Sequence, residues 1–166
     1  MSSPYVTSDS LITVDIFIDI AKPGFPRVLA DHEVAKLDKD KLPDNIKKET
    51  SHWRRPSWSL STMITANSYV EDREGRQRFD MTKFAISRIR ALLVDWSLKD
   101  GDPALALEKH VRPDMPGVSV LSDAAIRVLG AVDTSIVEAF YAGAMSQIYP
   151  DISMLGGVAP EAVEGN

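Results

Sequence analysis

The side chains able to do chemistry are few, and their spacing limits what they can do. Three histidines, His32, His52 and His110, stand far apart with no second ligand at helical spacing, and no His-Glu-x-x-His element occurs. The chain has no cysteine, which excludes disulfides, thiolate nucleophiles and Cys-type zinc or iron–sulfur sites together. Asp100 and Asp102 imitate the opening of a calcium loop, but the glycine and terminal glutamate of such a loop are missing. Serines abound without a Gly-x-Ser-x-Gly elbow. Gly156-Gly157 lacks the Lys-Ser/Thr pair of a phosphate cradle. Glu71 and Asp72 sit in a charged stretch, where nothing would raise a carboxyl pKa for acid–base work. The expectation is a chain without catalytic residues, metal or cofactor, and not an enzyme.

What remains is the cluster Trp53, Arg54, Arg55 and Trp58. Tryptophan and arginine are the types most enriched at the energetic centres of protein interfaces, so these four are the candidate protein-interaction residues. The competing reading is that both tryptophans fill the local core. A third reading is nucleic acid. Arg54, Arg55, Arg73, Arg76, Arg78, Lys83, Arg88 and Arg90 outnumber the acidic residues of the 52–90 segment, and the tryptophans could stack on bases. The acidic balance of the whole chain and the lack of a reader motif make nucleic acid the weaker alternative.

The elements that must position this cluster follow from periodicity and punctuation. Over residues 11–20, Ile12, Val14, Ile16, Ile18 and Ile20 alternate with Thr13, Asp15, Phe17 and Asp19, the period of a strand with one buried face. Lys22-Pro23-Gly24 marks a turn, and residues 25–30 could pair back as a second strand. Residues 31–50 are dense in charge and broken by Pro43, which reads as two short amphipathic pieces or an exposed arm. Pro56 holds the residues before it extended, and a helix can start after Ser57 with Leu60, Met63, Ile64 and Ala66 inward. Glu74-Gly75 is a loop tip.

Asp80 is a natural N-cap, and the 80–96 stretch reads as the clearest helix. Met81, Phe84, Ala85, Ile89, Leu92, Leu93 and Trp96 form its apolar stripe. Residues 97–120 carry two strong turn signals and read as loop. Ser122 caps a short helix ending near Gly130. Asp133 opens another helix, with Ser135 and Glu138 spaced as a capping box and Tyr149-Pro150 as its end. The sum is α+β: an N-terminal strand or hairpin (11–30) followed by a predominantly helical body (51–148), all one domain over 1–150, with 151–166 as a flexible tail.

The 166-residue chain is 44% hydrophobic and 26% charged, an ordinary globular balance large enough for a real core. Net charge is −5 and unevenly placed. From Asp114 onward, seven acidic residues face one basic, a net of −6, which leaves +1 for residues 1–113. Such polarity could orient a subunit among partners. Residues 1–10 are polar, and no run reaches the ~20 apolar residues of a membrane span. A cytoplasmic protein is expected.

Two segments carry a family resemblance. Arg54-Arg55-Pro56-Ser57-Trp58 is a basic pair before Pro-Ser and an aromatic, opening a helix. Residues 89–101 end a helix in Val94-Asp95-Trp96-Ser97-Leu98 and pass into the Asp100-Gly101 turn. Their order resembles the tail assembly chaperones, and similar small tail-morphogenesis proteins, of long-tailed bacteriophages over roughly residues 50–145. Residues 31–50 and 105–120 do not match the pattern. The resemblance implies a non-enzymatic chaperone that coats a tape-measure protein, recruits tail-tube subunits and could self-associate in the host cytoplasm. The alternative it leaves open is a structural virion protein, a connector or a tail terminator.

Overall fold

The computed structural model describes residues 10–150. Strand β1 (Leu11–Asp19) follows the alternation: Ile12, Val14, Ile16 and Ile18 are buried, while Thr13 and Asp15 face out; Phe17, read as outward, is buried as well. It pairs antiparallel along its whole length with β3 (Ile46–Arg54), from Leu11↔Arg54 to Asp19↔Ile46. The second strand of the expected hairpin shrinks to β2 (Arg27–Val28), followed by the single helical turn α1 (Asp31–Val34). The sheet runs β2-β1-β3-β6, where β6 is Leu93–Trp96.

Several expectations are corrected here. The body after β1 is not predominantly helical: helix makes up 40% and strand 29% of the structure, in one four-stranded and two two-stranded sheets. The charged 31–50 segment is not an arm throughout, because its last residues are the first half of β3. Glu49 is buried there at 2% exposure; Lys47 Nζ stands 2.7 Å from its carboxylate and the Ser97 hydroxyl donates to it. A buried carboxylate is tolerated when it is paired and hydrogen-bonded, so the charge count misled.

The helix expected over 80–96 splits into α3 (Met81–Leu92) and β6. Leu93 turns extended (φ −69°, ψ 121°), and Trp96, Asp95 and Leu93 pair with Ser51, His52 and Trp53. The free edge of β3 offered ladder bonds that one more helical turn could not match.

The expected loop at 97–120 holds α4 (Leu98–Gly101), a 3-10 turn (Pro103–Leu105) and a hairpin of β7 (Lys109–Arg112) and β8 (Met115–Leu121). Gly117 has φ +77°, a left-handed position natural to glycine. The proline and glycine read as loop punctuation therefore belong to a tight hairpin with a bulge at Val111/Arg112.

Helix α2 (Trp58–Ala66) begins where expected, with Ser57 Oγ accepting from the Leu60 N–H at 3.2 Å. A hairpin of β4 (Tyr69–Glu71) and β5 (Gln77–Phe79) follows, turning at Gly75 (φ +77°). Asp80 Oδ1 caps α3 through the Lys83 N–H at 2.9 Å. Helices α5 (Asp123–Ala131) and α6 (Thr134–Ile148) close the chain. Ser122 caps α5 as expected, and Asp133 itself accepts from Ser135 N–H at the start of α6. One buried cluster joins Ile12 and Trp53 of the sheet to Leu60, Leu92, Leu121, Leu129 and Phe140. Among the described residues no single helix is long and apolar enough to cross a membrane. The tail expected over 151–166 lies outside the described residues.

Candidate functional site

The four candidate residues straddle the end of β3 and the start of α2, and the strand's alternation separates them. Trp53 points to the core at 1% exposure, its indole N–H donating to Ser51 Oγ at 2.8 Å and its ring 6.4 Å from Tyr141. Arg54 points the other way. Its guanidinium reaches the carbonyls of Ala91 (3.5 Å) and Ser119 (3.3 Å), and half-burial pushes its pKa down. Arg55 is exposed. Trp58, on the first turn of α2, is 84% exposed. Trp53 and Arg54 thus join sheet to hairpin and helix, and Arg55 and Trp58 are presented to solvent.

Trp58 opens a face built from three hollows in a row. The first, about 430 Å³, lies along the outer side of α2 between Trp58, Thr62, Thr65, Ala66 and Tyr69. Ala66 and Tyr69 also border the second, of about 390 Å³, which runs over Lys83, Ile86, Arg90 and Arg112. Ile86 in turn borders the third, of about 250 Å³, where Ile86 and Ile89 of α3 meet Ile126 and Leu129 of α5 and Val132 and Val137. Tyr69 is fixed by an edge-on contact with Phe79 at 5.4 Å, and Phe79 rests on Phe84 at 5.2 Å.

The charges in the middle hollow are largely spent on one another. Arg90 pairs with Asp123 at 2.9 Å and donates to the Leu121 carbonyl at 2.9 Å. Arg112 pairs with Asp114 at 2.9 Å and Asp123 at 2.8 Å. The Arg112 hydrogen bond holds the Asp114 carboxyl below its ordinary pKa, and the Arg90 hydrogen bond does the same for Asp123. Lys83 is the cation of this hollow with no ion pair among the described residues. The arrangement suits an apolar, elongated ligand that carries a negative charge near its middle.

Other chemistry-bearing residues are spoken for singly. His52 lies on the outer sheet face with Nδ1 3.3 Å from Thr13 Oγ1, His110 is exposed on β7, and His32 sits in α1. Asp102 caps the 3-10 turn through the Ala104 N–H, and Asp72 binds the hairpin N–H groups of Arg76 and Glu74, which depress its pKa. Of the Arg-rich 52–90 segment, Arg54, Arg76, Arg88 and Arg90 are engaged. Arg88 lies 4.0 Å over the Phe84 ring and 4.7 Å over the Tyr149 ring.

The sequence reading missed Tyr69, Ile86, Ile126 and Val137 as members of this face. Ile86 carried a signal: it falls off the buried stripe of α3 and stays 40% exposed. Comparison of the chain with family models, with curated proteins and with solved structures found no match.

Proposed function

We propose that this chain works by gripping another polypeptide on the face that begins at Trp58, and that it serves as an assembly chaperone for the tail of a long-tailed phage. The observation that carries the reading is the 84% exposure of Trp58 at the head of three hollows joined through shared lining residues. A tryptophan held in solvent beside apolar grooves is the usual anchor of an interface, and a polar surface would serve a solitary protein better. The row of hollows suits an amphipathic helix laid along it, with apolar residues at i, i+3, i+4 and i+7. A tape-measure protein supplies such helices, and tail-tube subunits would then be recruited to the coated client. In this reading the protein acts in the host cytoplasm, without a catalytic step or a cofactor.

The test is co-purification of the intact chain with a helical tape-measure fragment and with the tail-tube subunit. Trp58→Ala should weaken capture by about 2 kcal/mol, roughly thirtyfold, the cost of losing one interface hot spot. Capture that is absent for the wild-type chain, or unchanged in the variant, would overturn the reading. Mass spectrometry of mature particles separates a chaperone, which leaves, from a connector or terminator, which stays.

A further inference from the structure

We propose that Lys83 and Glu138 read the charge order of the partner, so that the Trp58 face takes an amphipathic helix whose apolar stripe carries an acidic residue opposite Lys83 and, about two turns on, a basic one opposite Glu138. This rests on the reading of that face as a grip for a polypeptide, and it names the kind of polypeptide selected.

The three hollows differ in charge. No charged side chain lines the first, where Trp58, Ala66 and Tyr69 stand. In the second, Arg90 and Arg112 are answered by Asp123 and Asp114, which leaves the charge of Lys83 in excess. In the third, Glu138 is the one charged side chain among the lining residues, set beside Ile86, Ile89, Ile126 and Leu129. Arg127, the cation of α5, is absent from that lining. Ala66 and Tyr69 join the first hollow to the second, and Ile86 joins the second to the third. A partner spanning them therefore meets no charge, then a cation, then an anion.

Both charges are free to be used. Lys83 and Glu138 are exposed, and neither side chain has a hydrogen bond or ion pair among the described residues. Water solvates them in the free protein. A partner laid over the face takes that water away, and a charge covered by apolar surface is expensive unless it is answered. An acid over Lys83 and a base over Glu138 answer both. The exchanged order sets like charges against each other, which rejects the wrong partner.

The spacing suits one helical stripe. Lys83 and Ile89 are separated along α3 by a rise of about 9 Å, and Ile89 lines the hollow that holds Glu138. Seven residues of a partner helix rise about 10 Å and return to the same face. An acid and a base at that separation fall opposite the two hollows.

The test uses the full chain and two synthetic helical peptides of one composition, both free of tryptophan. Each carries a leucine stripe with phenylalanine at one end for the first hollow. One has glutamate in the middle and lysine about two turns further on; the other has the two exchanged. Trp53 and Trp96 are buried and Trp58 is in solvent, so a blue shift of the chain's emission reports the covering of Trp58, and Trp58→Phe should abolish it. We expect the first peptide to bind about tenfold or more tightly than the second. The double variant Lys83→Glu, Glu138→Lys should reverse that preference by a similar factor. Both positions are exposed, so its melting curve should match the wild type. Equal affinity for the two peptides, or a preference that survives the double exchange, would overturn the proposal and leave the grip in place. No blue shift with either peptide overturns the proposal as well; the grip itself stands or falls with the co-purification above.

Discussion

Replacing Gly143 by alanine should destabilise the protein, although the same change in an exposed helix is stabilising. A Cβ at Gly143 would lie 2.6 Å from Val14 Cγ1, 3.7 Å from Cγ2 and 3.8 Å from Cβ. Carbon atoms in contact prefer about 3.5–4.0 Å, so the new methyl overlaps Val14 by about 1 Å. Val14 is 5% exposed and sits in the middle of a paired strand. A valine is stiff about χ1, so it cannot swing aside cheaply. Overpacking of this kind costs about 1–3 kcal/mol. Helix propensity returns about 1 kcal/mol on replacing glycine by alanine. The net loss is about 1 kcal/mol, or roughly 2–4 °C in Tm for a chain of this size.

Chemical denaturation of Gly143→Ala, Val14→Ala and the double variant forms a closed cycle. Val14→Ala alone should cost about 2 kcal/mol through the methyls it removes. The double variant should be more stable than the sum of the two by about 1 kcal/mol, because the smaller residue makes room for the added methyl. A Gly143→Ala protein more stable than the wild type, or a cycle that adds with no coupling, would refute the close approach of α6 to β1.

The two tryptophans near β3 should behave oppositely. Trp58→Ala should leave stability within about 0.5 kcal/mol, whereas Trp53→Ala should cost about 3–5 kcal/mol by urea denaturation; similar losses for both would contradict their placement. Asp80→Ala removes the cap accepting from Lys83 N–H and should cost about 1 kcal/mol, with amide exchange rising first in the opening turn of α3. The Asp114 carboxyl is held below its ordinary pKa by Arg112, so the pair stabilises the fold above the ordinary carboxylate range. That stability is lost as pH falls through the depressed value. Asp114→Asn should therefore flatten the acid limb of a stability–pH curve below about pH 4, and an unchanged limb would show the pair to be idle.

The sequence by itself determined the elements whose signals are local. The alternation from Ile12 needs only a strand's period, and β1 keeps it to Ile16, after which Phe17, read as outward, is buried along with Ile18. Ser57, Asp80 and Ser122 are caps that work through N–H groups three residues away, so α2, α3 and α5 start where their sequences say. Arg55 and Trp58 of the candidate site were legible as residue types, since their worth at an interface follows from their chemistry.

Tertiary structure decided the rest, because the decisive partner lay far along the chain. Residues 93–96 fit the apolar stripe of a helix, and only the free edge of β3 made them a strand. The charges of 46–50 suggested exposure, and only the full-length partner β1 and the Ser97 hydroxyl made room for Glu49 inside. Trp53 and Trp58 are alike as sequence; a strand's twofold alternation buried one, and a helix's first turn left the other in water. Among the described residues β1 meets a second strand only at Ile18 and Asp19, because β2 stops after two residues. Periodicity and capping act within a few residues and can be read there, whereas an edge, a groove or a buried carboxylate is defined by what comes to lie beside it.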